Sequence, residues 1–492
     1  MHKERPRNIL LTVGTNPLPV LVAAWRLACE FEPQTLWLLH SVQTEMMAQA
    51  IAHQMRRRWE AVPTAGGTIR MVPISDAAHP KSIASTVRSL IPEAGSQWHL
   101  HYTGGTKIMA LKAMQALTAA VGDPTDSYLD VNRHNVLDQR GYLINPRVSD
   151  ERREWNLDLR DLCVLHGFTT DFRLEHRHKS PADVWTSTTG CFGEAKPEPV
   201  DFCYRNNGKP LEREWEAIGS EIFSLLINNP APKDPGLELK EAFNSNWGNR
   251  DRLWLSLPSE EIKTPVRWPS ITIPDSQAQT EWAALPARIN KLVTEFRWND
   301  DLKLERIKNG PSADLRMMWD FVNGADMEMA VHKSVRTVLE KRGLRFSLAH
   351  SVHIARRPKD EKTVARRCFE LDVAVILGYQ LVVISCSRSG KERAHIKNKA
   401  FEALHRARQV GGDSARALLI CGLSREDTAD LEVEVNEETG LVNETPGYDV
   451  SFGDEFHSSG SLPTLRIWPR EKWSHLEESF DEYLDTDLKW RN

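Results

Sequence analysis

The 492-residue chain has no Cys-x-x-Cys pair, no internal repeat, and no apolar run near the roughly 20 residues that a membrane span needs. Its seven cysteines (Cys29, Cys163, Cys191, Cys203, Cys368, Cys386 and Cys421) are scattered and odd in number. That excludes a zinc ribbon and a disulfide framework, and a reducing cytoplasm is the expected compartment. The amino-terminal MHKERPRNILLTVG breaks its short apolar run at a glycine, so it lacks the h-region of a secretory signal. No partner in a membrane is expected. What remains is an ordinary globular composition, 40% apolar and 27% charged, long enough for two or three domains.

The net charge of −5 is unevenly spread. Between Val331 and Gln409, eighteen Lys and Arg stand against seven Asp and Glu, a local +11 that leaves −16 elsewhere. A basic block in an acidic chain points to a polyanion partner, or to a solvated face.

Residues 1–147 alternate strands with helices. Strands are predicted at Ile9–Val13, Thr35–His40, Ile69–Ile74 and Trp98–Tyr102, with apolar helices between them and at Thr106–Val121. Ser127–Val131 and Gln139–Ile144 are expected as edge strands. This alternation predicts an α/β fold with a Rossmann-like parallel sheet. Residues 148–310 read as a connecting α+β region of unnamed fold, with helices expected at Leu157–Leu165, Glu212–Leu226 and Glu281–Phe296. Residues 311–492 read as a second α/β domain: a helix at Met327–Lys341, a strand hairpin, a basic helix, a strand at Arg416–Cys421 and an acidic terminal segment.

Two turns of the first domain carry chemistry: Val13-Gly14-Thr15-Asn16-Pro17 and Thr103-Gly104-Gly105-Thr106-Lys107. Both fall at the carboxyl edge of the expected sheet, where ligands bind in open α/β folds. Gly104 and Gly105 admit close backbone approach. Thr106 and Lys107 open a helix whose N–H groups favour an anion. A phosphodiester suits this turn; a plain strand-to-helix turn with a surface lysine is the other reading.

The segments LLTVGTNPLPV and HYTGGTKIMALKAM resemble CARF domains, the Rossmann-like sensors of cyclic oligoadenylates in type III CRISPR defence, in particular those joined to a restriction-endonuclease-like domain. The resemblance implies a homodimer with the cyclic ligand, usually cyclic tetra-adenylate, on its two-fold axis. It implies ligand contacts from Thr15, Asn16, Thr103, Gly104, Gly105, Thr106 and Lys107, and more weakly from His40 and Ser41.

The second constellation is FELDVAVILGYQLVVISCSRSG, Phe369–Gly390. A two-residue turn at Gly378-Tyr379 pairs residues whose numbers sum to about 757. Asp372 then faces Ser385, and Glu370 faces Ser387. Glu370 and Asp372 share one strand face and suit a hard cation such as Mg²⁺ or Mn²⁺, or simply an exposed polar face. Glu328 begins the helix MEMAVHKSVRTVL, near its apolar stripe. The order resembles a PD-(D/E)XK nuclease core: a helix acid (Gly324 and Glu328 in FVNGADME), a strand aspartate, then E-x-K on the next strand. Here Ser385 and Ser387 stand where E-x-K is usual. The resemblance implies that the missing groups have moved to the next helix, where Lys397, Lys399 and Glu402 lie, or that the domain binds without cutting. Asp372, Glu328, Glu402, Lys399 and Lys397 are thus the candidate catalytic residues, and Asp372, Glu328, Glu370 and Glu402 the candidate metal ligands. Arg406, Arg408 and Gln409 either hold phosphates or solvate the helix. Three functions follow: a cyclic-oligoadenylate-activated DNA or RNA endonuclease, a ligand-switched binding protein, or an enzyme that degrades the cyclic ligand itself.

Overall fold

The computed structural model describes residues 6–60, 67–94, 97–130, 134–148, 150–170, 326–356, 367–388, 393–439 and 465–490, with short pieces between 205 and 306. Gly324, much of Glu212–Leu226 and the acidic stretch 440–464 lie outside the described residues.

The first sheet has the order β3-β2-β1-β4-β5-β6. Its strands are β1 (Asn8–Thr12), β2 (Thr35–His40), β3 (Thr68–Pro73), β4 (Trp98–His101), β5 (Thr125–Asp130) and β6 (Asn135–Asp138). All neighbours are parallel except the β5–β6 pair. Every residue of β1 is buried, as expected for a central parallel strand covered on both faces. Helices α1 (Leu18–Phe31) and α2 (Glu45–Glu60) cover the face of Ile9 and Leu11; α3 (Pro80–Ala94) and α4 (Lys107–Val121) cover that of Leu10 and Leu100. The strand expected at Gln139–Ile144 is instead a turn, because Asp138 Oδ1 accepts from the N–H groups of Arg140 and Tyr142, both at 2.9 Å.

A connector follows, with helix α5 (Leu159–Leu165) and strand β7 (Phe168–Thr170). Further on, Ser276–Ile289 is helical, while Phe296, the expected end of that helix, instead begins a strand, Phe296–Trp298, paired with Leu304–Arg306.

The second sheet is built from β7, β8 (Phe346–Arg356), β9 (Arg367–Leu377), β10 (Gln380–Ser387), β11 (Arg416–Cys421) and β12 (Leu465–Trp468), in that spatial order. β10, β11 and β12 run parallel; the other neighbours are antiparallel. Helix α7 (Arg393–Gly411) packs on the face of Ala374 and Val383. Helices α6 (Asp326–Lys341) and α9 (Leu476–Thr486) pack on that of Val373 and Ile384. Helix α8 (Arg425–Glu438) flanks α7. One apolar cluster runs without a break from Ile9 and Leu21 through Leu159 and Leu162 to Leu404 and Leu419, so the two sheets share a core.

The β9–β10 turn is clamped by the connector. Leu157 N–H donates to the Gly378 carbonyl at 2.9 Å, and Arg152 Nη1 donates to Gln380 Oε1 and the Leu488 carbonyl, both at 2.7 Å. Tyr379 is buried edge-on against Trp155 and bonds His134 Nδ1 at 3.1 Å. Arg26 and Glu151 form a buried pair at 2.7 Å that fixes the connector on α1. A Cβ added at Gly378 (φ +65°) would lie 1.9 Å from the Arg152 carbonyl oxygen.

Buried imidazoles are a second feature. His99 bonds Thr125 Oγ1 at 2.8 Å and Ser127 Oγ at 2.7 Å, and the same Ser127 hydroxyl meets His101 Nδ1 at 2.9 Å. Burial pushes His99, His101 and His350 down to about 3, His134 to about 2 and His166 to about 4, all from 6.5.

Two outcomes follow. Gly378→Ala combines left-handed strain with a backbone overlap and lowers unfolding free energy by about 3 kcal/mol; a chemical-denaturation midpoint equal to wild type would refute the clamp. Between pH 6.5 and the depressed folded values, the unfolded chain binds protons that the folded chain refuses. Stability is therefore full above pH 6.5 and falls with acid, by up to ~1.4 kcal/mol per pH unit for each such histidine. The urea midpoint at pH 5 is expected below that at pH 7.5.

Candidate functional site

The two turns singled out in the first domain interlock at the carboxyl edge of its sheet. Thr12 Oγ1 donates to the Gly104 carbonyl at 2.5 Å, and a Cβ on Gly104 would meet the Thr12 carbonyl oxygen at 2.2 Å. Only glycine fits that crossing. Thr106 is the N-cap of α4, its hydroxyl accepting from Met109 N–H at 3.2 Å. The first-turn amides of α4 and the exposed Lys107 therefore open to solvent beside Gly105 and the exposed Thr15. An exposed lysine beside a helix N-terminus suits an anion.

Four residues expected at this edge have their side chains engaged elsewhere. Thr103 Oγ1 accepts from Leu129 N–H at 2.5 Å. His40 is buried and its Nδ1 meets the Ser41 carbonyl at 3.0 Å. Ser41 is buried and caps the turn Val42–Thr44 through a reciprocal box with Thr44. Asn16 Nδ2 donates to Asp413 Oδ2 at 3.0 Å, and its Oδ1 lies 3.4 Å from His166 Nε2. Asn16 is thus a link to the loop that ends α7, 397 positions away. No local pattern announces that partner.

At the open end of the β9–β10 hairpin the pairing arithmetic holds. The ladder runs from Leu377–Gln380 to Val373–Ile384, and Ser385 Oγ donates to Asp372 Oδ2 at 2.9 Å. Cys386 N–H donates to the same oxygen at 2.8 Å. Among the described residues Oδ1 receives no hydrogen bond. Glu370 lies in register with His353 of β8 and outside the β9–β10 ladder, so it is not paired with Ser387.

Cys386 is a position to which no sequence motif points. Its thiol is pushed well up, first by burial, then by the carboxylates of Asp372 and Glu328, with Lys399 opposing. The charges of Glu328 from α6, Asp372 from β9 and Lys399 from α7 are thus all felt at this one position. Strand alternation gave the available signal, since Cys386 faces α6 with Val382 and Ile384.

Lys397 and Glu402 do not join them. Residues 397 and 399 lie roughly 200° apart around a helix, so both cannot face the strand pair. Lys397 Nζ instead bonds Glu434 at 2.6 Å and Glu438 at 2.7 Å on α8. Glu402 pairs with Arg406 one turn on, and Arg406 Nη1 also donates to the Glu370 carbonyl at 2.7 Å. Among the described residues no three His, Cys, Asp or Glu side chains gather as metal ligands. The expected four-acid set is therefore not assembled. Asp372 Oδ1 lies outside the hairpin's own hydrogen bonds, and a cation of the Mg²⁺ kind takes as few as one carboxylate and keeps water or phosphate oxygens for the rest.

No family model and no curated protein matches the chain. The crystal structure of protein VC1899 from Vibrio cholerae is similar over 97% of both chains, with a TM-score of 0.57 at 14% identity. Can2 from Sulfobacillus thermosulfidooxidans, solved in complex with cyclic tetra-adenylate, covers 98% of both chains with a TM-score of 0.49 at 13% identity. The first of these likenesses is one of fold along nearly the whole chain. No helix among the described residues is long and apolar enough to cross a membrane.

The charges felt at Cys386 predict its thiol reactivity. Asp372→Asn and Glu328→Gln each remove a charge that opposes the thiolate, so alkylation of Cys386 by iodoacetamide, followed by mass spectrometry, is expected to quicken. Lys399→Ala is expected to slow it. Equal rates in all three would show that these charges do not meet there.

Proposed function

We propose that this protein is a cyclic-oligoadenylate-gated nuclease of type III CRISPR defence, with residues 1–147 as a CARF-like sensor, 148–310 as connector and 311–492 as a PD-(D/E)XK-like effector. The observation that carries the reading is the hold of Ser385 and the Cys386 amide on one oxygen of Asp372, beside a position at which the charges of Asp372, Glu328 and Lys399 are all felt. Two carboxylates and one lysine are the functional content of a PD-(D/E)XK site, here with the lysine supplied by α7. The sensor half rests on the interlocked glycine turns and the exposed Lys107 at the start of α4. The resemblance of LLTVGTNPLPV and HYTGGTKIMALKAM to CARF domains names the ligand, cyclic tetra-adenylate, and a homodimer that shares it across a two-fold axis.

In this reading, Lys107 and the α4 amides hold ligand phosphates, and Gly104 and Gly105 let the backbone approach them. Asp372 and Glu328 would hold Mg²⁺ or Mn²⁺, which would supply an acidified water and charge stabilisation at a scissile phosphate of DNA or RNA. Lys399 neutralises the attacked phosphate and orients the nucleophile. Ser385 and the Cys386 amide fix Asp372 through one oxygen and leave the other outside the hairpin's hydrogen bonds. A second reading has its own support: Asp372 Oδ2 is already taken by the Ser385 hydroxyl and the Cys386 amide, as suits a domain that binds nucleic acid without cutting it.

Full-length protein incubated with plasmid DNA or with RNA, Mn²⁺ or Mg²⁺, and cyclic tetra-adenylate decides between them. Cleavage is expected only when metal and ligand are both present. Asp372→Ala is expected to lower the rate by about 10²-fold or more, and Lys107→Ala to raise the ligand concentration required. Wild type and Asp372→Ala behaving alike would end the nuclease reading. A ligand-dependent gel shift with intact substrate would establish the binding reading.

A further inference from the structure

The loop that ends α7 reaches across to the first sheet and stops on Asn16. Asn16 Nδ2 donates to Asp413 Oδ2 at 3.0 Å. The backbone beside that contact is as close: a Cβ added at Gly412 would lie 2.4 Å from Asn16 Oδ1 and 2.7 Å from its Nδ2. Gly412 also has φ +64°, so only glycine fits there. Asn16 belongs to the β1 turn, and that turn is pressed on the β4 turn in its own right. A Cβ on Gly14 would meet the Gly105 amide nitrogen at 2.6 Å. One side chain therefore joins the edge that carries the α4 amides to the end of a helix of the second domain.

The other half of the Asn16 carboxamide is poorly served. Its Oδ1 faces His166 Nε2 at 3.4 Å. His166 Nδ1 lies 3.0 Å from the Leu162 carbonyl, which only accepts, so Nδ1 carries the ring proton. Burial pushes the imidazole down to about 4, which leaves it neutral at neutral pH. Nε2 is then a bare acceptor, and two acceptors face each other across the gap. Asn16 is thus held by Asp413 and not by His166.

Asp413 is exposed, and among the described residues no lysine or arginine is paired with it. Its carboxylate is an anion set on a donor of the first sheet's carboxyl edge, where Lys107 and the α4 amides favour an anion from outside. A ligand phosphate has the same sign of charge and the same kind of acceptor oxygen. It competes for Asn16 Nδ2, and two anions on one carboxamide repel each other.

Given the sensor reading, we propose that Asp413 is a built-in substitute for a ligand phosphate, latched on Asn16 in the resting chain, and that a phosphodiester at the β1 and β4 turns displaces it and frees the end of α7. Linkage makes the exclusion mutual: the ligand loosens the latch, and loss of the latch tightens the ligand. The latch stands whether or not the second domain cuts nucleic acid.

Calorimetric titration of the full chain with cyclic tetra-adenylate is the test. Asp413→Ala is expected to bind about fivefold more tightly than wild type, the effect of one exposed hydrogen bond removed from the competing state. Asp413→Asn keeps an acceptor without the charge and is expected to fall between them. Glu434→Gln loosens α7 from α8 instead, and is expected to bind as wild type does. In hydrogen exchange read by mass spectrometry, the ligand is expected to speed the amides of residues 412–415 in wild type and to change nothing there in Asp413→Ala. Equal or weaker binding by Asp413→Ala overturns the latch and spares the sensor reading, as does exchange at 412–415 that the ligand leaves unchanged or slows in wild type. No binding by wild type and Asp413→Ala alike ends the sensor reading and the latch with it.

Discussion

The buried reach of Arg152 to Gln380 and to the Leu488 carbonyl is the contact on which the arrangement turns. It ties three distant parts of the chain at one guanidinium: the connector, the β9–β10 hairpin and the carboxyl-terminal tail. Asp150 supplies the counter-charge at 2.7 Å, so the buried ion is paired and its remaining donors are met. With Gly378 and Tyr379 seated against the same connector, the hairpin cannot slide. Its register is set at the turn, and a slip of one residue would reverse every side chain on both strands. The placement of Asp372 opposite Ser385, at the far end, is thus decided by contacts near residue 379.

Part of the basic block is answered from within the chain. Arg393 and Lys397 meet Glu434 and Glu438 on α8. Lys341 and Arg342 meet Glu477, Asp481 and Asp485 on α9. The acidic segments are therefore counterparts of the basic ones, folded against them across the second domain. Pairs as exposed as these contribute little stability each. Their effect is on charge distribution: they remove cations from the surface facing α8 and α9, and leave Lys399 as the α7 lysine near Asp372. A count of +11 along the sequence does not reveal this cancellation, because the partners are roughly 40 to 140 positions apart.

What was legible in the sequence shares one property: it is fixed by near neighbours. The parallel strands, the α4 cap at Thr106 and the β9–β10 register depend on alternation, capping and a two-residue turn. Gln139–Ile144 failed as a strand because a single Asp138 carboxylate gathered two amides into a turn, which hydrophobic pattern cannot show. Lys397 and Glu402 were grouped with Lys399 by proximity in sequence, although helical geometry points Lys397 to α8. Asn16 read as a ligand contact because it lies in the right turn, and its engagement with Asp413 arises only when the two sheets pack on a shared core.

That engagement ties the β1 turn at the carboxyl edge of the first sheet to α7, the helix that carries Lys399. Asp413 sits just past the end of α7, a 19-residue helix about 28 Å long, and Lys399 sits in its first half. A packed helix moves as a unit, since Ala400, Ala403, Leu404 and Ala407 are locked into the common core. A ligand at the β1 and β4 turns can bias Lys399 only if it changes the free energy of the Asn16–Asp413 contact, because binding shifts an equilibrium by its differential interaction with the two states and by nothing else. The contact is exposed and neutral on one side, hence weak. Weakness is the useful property here: a bond worth about 1 kcal/mol can be exchanged for a ligand phosphate without unfolding either sheet, whereas the Arg152 clamp, buried and charged, must hold in both states.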